Sequence, residues 1–105
     1  MRADSVRGHM ANKEHLKILK EGVETWNHWK LYNPVAQTDL TEADLHGMDL
    51  SGVLLDGANL YSANLQGANL YAAHLCLANL ERANLIRANL SSADLSLSVL
   101  AQADL

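Results

Sequence analysis

Two residues with reactive side chains, His74 and Cys76, lie two positions apart in the second half of the chain. A neighbouring imidazole can hold a cysteine thiol as the thiolate, which is the nucleophile of cysteine chemistry. Such a pair supports catalysis only when a third group orients the imidazole and a pocket holds the substrate. The sequence around the pair offers no obvious orienting group and no pocket. We therefore interpret both residues as surface side chains and predict that the protein is not an enzyme.

The other candidates for chemistry have structural explanations. The remaining four histidines form no zinc-ligand spacing with the single cysteine, and the H-E-x-x-H motif is absent. Glycines stand two positions after a leucine at 47, 52, 57 and 67, where the chain must bend, so they are not a phosphate-binding loop. We predict neither a metal nor a cofactor.

Leucine recurs at every fifth position from residue 40 to residue 105, fourteen times without a gap. Alanine stands two positions before ten of these leucines, and Asn or Asp stands one position before eleven of them. The repeating unit is therefore Ala-(Asn/Asp)-Leu-x-x. Such a repeat has to be recognised before any helix or strand is assigned, because it determines the whole fold.

A period of five fits neither a helix nor a flat strand. Five steps along a helix rotate the side chain by about 140°, and an odd period sends alternate leucines to opposite faces of a strand. The leucines share one interior only if the chain turns once per repeat, which makes a solenoid. The Asn/Asp positions are then expected to stack between coils and to bond to the turn backbone. The predicted core leucines are Leu40, Leu45, Leu50, Leu55, Leu60, Leu65, Leu70, Leu75, Leu80, Leu85, Leu90, Leu95 and Leu100.

The departures from the repeat indicate how many units form one coil. With four units per coil, the irregular units at 53–57, 73–77 and 93–97 stack on one face, whereas three units per coil would scatter them. The pattern favours four. It also gathers five unusual residues on that face, and we predict it as the protein-interaction surface. These residues are Leu54, His74, Cys76, Leu77 and Leu97.

The tandem Ala-(Asn/Asp)-Leu-x-x units from about Asp39 to Leu105 resemble those of the pentapeptide repeat proteins. The resemblance implies an all-β solenoid, a right-handed quadrilateral parallel β-helix with four faces. It further implies that leucine takes the central inward position and alanine the other inward one.

The residues before the repeats have a different pattern. Residues 10–34 read as one amphipathic capping helix, with Asn12 as its N-cap and the Asn33-Pro34 pair as its end. The stretch WNHWK also resembles a leader found ahead of some pentapeptide repeat domains. An exposed solenoid end needs a cover, and a protein-docking helix is the alternative interpretation. The predicted cap residues are Leu16, Leu19, Val23 and Trp26, with Trp29 as a further candidate.

The predicted domain organisation has three parts. Residues 1–9 resemble an expression-tag remnant, residues 10–34 form the cap, and residues 35–105 form the repeat solenoid. No apolar run is long enough to cross a membrane and no secretory signal is present, so we expect a cytoplasmic protein. The last repeat ends on an inward leucine without a cap. We therefore expect either a longer natural chain or end-to-end association through the C-terminal coil.

The net charge of −4 argues against direct nucleic-acid binding. Some pentapeptide repeat proteins are acidic DNA mimics that bind DNA gyrase and confer fluoroquinolone resistance. That resemblance implies the alternative function here, because the repeats carry eight acidic residues against two arginines. Five of the acids occupy the structural position before leucine, however. We therefore favour a scaffold that binds an unidentified protein partner.

Overall fold

A computed structural model describes residues 10–105, so the predicted tag remnant at 1–9 lies outside the described residues. In this described part, two helices precede the repeats: α1 (Lys13–Lys20) and α2 (Val23–Tyr32). Asn12 is the N-cap of α1, as predicted, and its Oδ1 accepts from the backbone N–H groups of Glu14 and His15 at 2.9 and 3.0 Å. α2 ends just before Asn33-Pro34, where the residue preceding proline avoids helical angles.

Within residues 10–34 the structure has two helices where the sequence predicts one. Gly22 separates them, because its φ of 121° and ψ of 160° lie outside the helical region. Only glycine adopts such angles without steric cost. The chain therefore changes direction at Gly22, and α1 and α2 cover the solenoid as separate elements.

The repeats form a coil of twenty residues. Parallel bridges join each residue before a leucine to the residue twenty positions later, as in Asp39 with Asn59 and Asn59 with Asn79. Twenty residues are four repeats, as the irregular units predict. We name the four sides after their first units: side A begins at 38–42, side B at 43–47, side C at 48–52 and side D at 53–57.

Adjacent coils are joined by backbone hydrogen bonds of 2.7 to 3.0 Å. On side A, the N–H of Leu40 donates to the carbonyl of Asn59, and the N–H of Asn59 donates to the carbonyl of Thr38. Each contact is a bridge of one residue, and the described part of the chain contains no longer strand. The sides are this short because a turn begins immediately after every leucine.

The corners require a left-handed residue. In the first corner, the N–H of Ala43 donates to the carbonyl of Leu40 at 3.0 Å, which closes a four-residue turn. The third residue of this turn has a positive φ at every described corner, and glycine takes the position at 47, 52, 57 and 67. Other residue types occupy the remaining corners at a steric cost.

The Asn and Asp side chains stabilise these turns. The Oδ1 of Asn69 accepts from the backbone N–H of Tyr71 at 3.1 Å. The side chain of Asn69 also bonds to Asp49 above it and Asn89 below it, each at 3.3 Å. The expected stacking is thus confirmed on side C, and on side B the side chain of Asn64 likewise donates to Asp44 at 3.3 Å.

The core is a column of leucine and alanine. Every repeat leucine from Leu40 to Leu85 is 0 to 2% exposed. In the last coil Leu90, Leu95 and Leu100 are only partly buried and Leu105 is exposed, because no further coil covers them in the structure. The tube is narrow, and the only fully buried ring among the described residues, Trp26, belongs to the cap.

The cap closes the first coil in two ways. Leu19 and Trp26 are fully buried in the core cluster, with Leu16, Val23 and Trp29 packed against it. On side D, the Nε1–H of Trp26 donates to the carbonyl of Leu54 at 2.9 Å, and the Oδ1 of Asn27 accepts from the N–H of Leu54 at 3.0 Å. These two side chains bond the backbone groups that a preceding coil would otherwise bond.

The side chain of Asn27 is expected to matter for stability, because it also donates to the carbonyl of Gly52 at 3.0 Å. Asn27→Ala leaves the N–H of Leu54 without this partner, and we expect the free energy of unfolding to fall by about 1–3 kcal/mol. Urea denaturation followed by circular dichroism measures the change. Thr25→Ala, an exposed position on the same helix, is the matched control and should stay within about 0.5 kcal/mol of wild type. Equal midpoints for the two variants would contradict this role.

Candidate functional site

All five residues of the predicted interaction surface lie on side D or at its corner. Leu54, His74 and Asp94 form one column of bridge partners. Leu54 is separated from the rest, because it is half-buried and its backbone N–H and carbonyl are bound by Asn27 and Trp26. The cap thus covers the top of side D and leaves its lower two units open.

An apolar ridge occupies the corner between sides D and A. Leu77 is 62% exposed and Leu97, one coil below it, is 78% exposed. Their units are joined by the N–H of Leu77, which donates to the carbonyl of Ser96 at 2.8 Å. Val99, two residues after Leu97 and on side A, is 47% exposed. We call Leu77, Leu97 and Val99 the apolar ridge.

The backbone at this corner does not favour leucine. Leu77 has a φ of 64° and Leu97 a φ of 59°, in the left-handed region. An L-residue with a Cβ loses roughly 1–2 kcal/mol there, and bulky side chains are rare in it. The same corner in the first coil holds Gly57, whose missing Cβ position faces open space. The turn therefore requires a left-handed residue but gains nothing from a leucine side chain.

His74 stands where the repeat has Asn or Asp, and its turn is completed by another residue. In a regular unit the carboxylate or amide before leucine accepts from the N–H two residues later. In this unit the Oδ1 of Asp56, from the coil above, accepts from the N–H of Cys76 at 2.9 Å. The exposed imidazole of His74 therefore does not have to accept the hydrogen bond from the N–H of Cys76.

His74 and Cys76 lie on side D, on either side of the buried Leu75. No hydrogen bond joins the imidazole to the thiol among residues 10–105, and Cys76 is a half-buried free thiol. The nearby Asp94 is engaged in its own turn, where hydrogen bonds from the hydroxyl and backbone N–H of Ser96 lower the pKa of its carboxyl. Within the same residues, no three His, Cys, Asp or Glu side chains form a potential metal cluster.

The acidic residues of the repeats are mostly engaged in turns. The carboxylate of Asp44 lies 2.6 Å from the Nδ1 of His46, and this side-chain hydrogen bond lowers the pKa of Asp44. Asp39 and Asp49 likewise accept from the turn residues two positions later. The two arginines, Arg82 and Arg87, are exposed at the corners on either side of side B.

Comparison with known proteins identifies the family. A family model described as pentapeptide repeats matches residues 38–76 and 78–105, with eight copies. The chain belongs to the pentapeptide repeat family. The one residue between the two matched stretches of this pentapeptide repeat protein is Leu77, the upper member of the apolar ridge.

One solved relative is the crystal structure of a pentapeptide repeat protein (Rfr23) from the cyanobacterium Cyanothece 51142. It is 43% identical, with a TM-score of 0.57 over 57% of this chain and 41% of that chain. The similarity thus spans less than half of the length of that protein. A search of curated proteins found no match. None of the helices in the described segment is both long and apolar enough to span a membrane.

Two residues of the site, Val99 and Asp56, are not among those predicted from the sequence. Val99 interrupts the Asn/Asp column as Leu54 and His74 do, and that interruption is the signal that could have placed it with Leu97. Asp56 has no such signal, because its bond to Cys76 joins residues twenty positions apart and depends on the register of the coils. The apolar ridge therefore extends from side D onto side A.

Residue 74 is His where the repeat usually has Asn or Asp. We therefore predict an energetic coupling between His74 and Asp56. Asp56→Ala removes the acceptor for the N–H of Cys76, and we expect a loss of about 1 kcal/mol of unfolding free energy. His74→Asn restores the usual acceptor, so Asp56→Ala should cost much less in that background. A double-mutant cycle measured by urea denaturation gives the coupling. Strictly additive effects would contradict the compensation.

The leucines of the apolar ridge are expected to be dispensable for folding. Leu77→Asn and Leu97→Asn place a residue that tolerates left-handed angles at each corner, so the melting temperature should stay equal or rise. Leu75→Asn is the contrasting control, because Leu75 is fully buried and its replacement should cost several kcal/mol, roughly 2–5. Thermal denaturation checks both. A loss above about 1 kcal/mol per corner would show that the ridge holds the fold together.

Proposed function

We propose that this chain is a non-enzymatic scaffold, coiled as the right-handed quadrilateral β-helix of its family, which binds a protein partner through the apolar ridge. The observation that carries the proposal is the pair Leu77 and Leu97, stacked and exposed in left-handed corners. Glycine or asparagine would serve the fold better at both positions. Leucine at these two corners therefore does not serve stability, and we infer that it serves an apolar contact with another protein.

The surroundings of the ridge suit a protein contact. Val99 extends the apolar surface onto side A, while Ser96 and the exposed His74 provide polar groups at its edge. An apolar centre with a polar rim is the usual composition of a protein–protein interface. The partner is expected to place aliphatic or aromatic side chains over Leu77 and Leu97, since these lose the most water-accessible apolar area.

The alternative, a DNA mimic that inhibits gyrase, has weaker support. A mimic must display carboxylates in place of phosphates, whereas Asp39, Asp44 and Asp49 have carboxylates engaged with their own turns. Arg82 and Arg87 also add positive charge to the surface. A supercoiling assay with purified gyrase tests this alternative directly, and inhibition by the wild-type chain would favour it over the scaffold.

The binding proposal is tested with the variant L77N/L97N, which removes the two leucines of the apolar ridge without disturbing the corners. The wild-type chain is immobilised, captured proteins are identified by mass spectrometry, and each candidate is purified so that its Kd can be measured. We expect the Kd to rise at least about tenfold for L77N/L97N, because one such apolar contact is worth about 1.4 kcal/mol or more.

The matched control is Y71S/I86S, which removes exposed apolar surface from sides C and B instead. This variant should bind the purified partner with the wild-type Kd. Equal Kd values for wild type and L77N/L97N would remove the apolar ridge as the contact surface.

A further inference from the structure

The imidazole of His15 takes the place of a backbone carbonyl at the top of side A. Its Nδ1 accepts from the backbone N–H of Asp39 at 3.1 Å. Three residues earlier, the backbone N–H of Asn12 donates to the carbonyl of Asp39 at 2.9 Å. The start of α1 therefore bonds both backbone groups of Asp39 as a neighbouring coil would, and one of these two bonds depends on a titratable ring.

The ring of His15 is held in place by the two tryptophans of the cap. Its centroid lies 5.3 Å from Trp29 and 6.2 Å from Trp26, with the Trp26 ring nearly perpendicular to it. Trp26 is fully buried and itself bonds to Leu54. The imidazole thus connects the contact on side A to the buried centre of the cap.

Acceptance by Nδ1 requires the neutral ring, with its proton on Nε2. Protonation would place an N–H on Nδ1 facing the N–H of Asp39, so the bond would be lost and two donors would oppose each other. Burial against the cap lowers the pKa of His15. The charged groups that act on the ring are Asp39 and Glu14, which favour its protonation, and Lys30, which disfavours it.

We propose that His15 is an acid-sensitive latch, whose protonation breaks its bond to the Asp39 N–H and leaves the start of α1 held to Asp39 by the Asn12 N–H alone. The latched form binds fewer protons than the open form. Its advantage is therefore complete above the ordinary histidine pKa of about 6.5 and declines as the pH falls below that value.

Amide hydrogen exchange of the intact chain measures the latch directly. The protection factor of the Asp39 N–H, corrected for intrinsic exchange, is compared between about pH 7.5 and pH 5.5, a range in which histidine titrates. We expect it to fall several-fold, at up to about tenfold per pH unit below the ordinary histidine pKa of about 6.5, and to level off once the pH is below the lowered pKa of the latched ring. The N–H of Asn59, the next position down side A, donates to the backbone carbonyl of Thr38 and should keep its protection.

Variants assign the effect to one ring. His28→Gln and His74→Asn remove exposed imidazoles on α2 and side D, and both should retain the pH dependence of Asp39. His15→Gln should abolish it. A dependence that survives in His15→Gln, or an Asp39 protection factor that is constant with pH in wild type, would overturn the proposal.

A second measurement needs no substitution at His15. Nitrogen NMR of the wild-type imidazole should find Nδ1 unprotonated at neutral pH, with a titration midpoint below the ordinary histidine pKa of about 6.5, where the loss of Asp39 protection levels off. A midpoint at or above about 6.5, or a protonated Nδ1 in the neutral ring, would contradict the latch.

Discussion

The backbone hydrogen bonds between coils are the constraint on which the whole molecule depends. Each coil must present its N–H and carbonyl groups to the next at 2.7 to 3.0 Å, and it must do so on four sides after only twenty residues. A side can then contain one bridge, one inward leucine and one turn. From this follow the inward Ala and Leu, the left-handed corner, and the Asn or Asp whose side chain bonds to the turn.

The same constraint creates a problem at the first coil, which has no coil above it. Helices cannot continue the ladder with their own backbone, because their N–H and carbonyl groups are already used. Side chains supply three of the missing partners: His15 accepts from the N–H of Asp39, and Trp26 and Asn27 bond the carbonyl and the N–H of Leu54. The fourth is the backbone N–H of Asn12, just before α1, which donates to the carbonyl of Asp39. The aromatic side chains that the narrow tube excludes are concentrated here, where they can bury area and donate or accept hydrogen bonds at once.

The sequence was sufficient to predict the solenoid, because leucines five residues apart share one interior only if the chain turns once per repeat. The irregular units at 53–57 and 73–77 indicated the number of repeats in a coil. It was insufficient for the cap. A helical stripe predicts burial, but the break at Gly22 depends on a φ of 121° that no periodicity encodes. At the site, Leu77 and Leu97 were visible as departures from the repeat. The bond from Asp56 to Cys76 was not, since it links side chain to backbone across two coils.

The left-handed corners have a consequence for how such a molecule can diversify. Corner side chains point away from the tube, and the described corners accommodate glycine, serine, alanine, glutamate, glutamine, arginine and leucine at φ values between 56° and 72°. Mutations there alter the surface while the interior stays the same, and replacing a corner glycine costs the backbone only roughly 1–2 kcal/mol. Each vertical column of corner residues can therefore vary separately on the same Leu and Ala interior. Leu77 and Leu97 are neighbours in one such column.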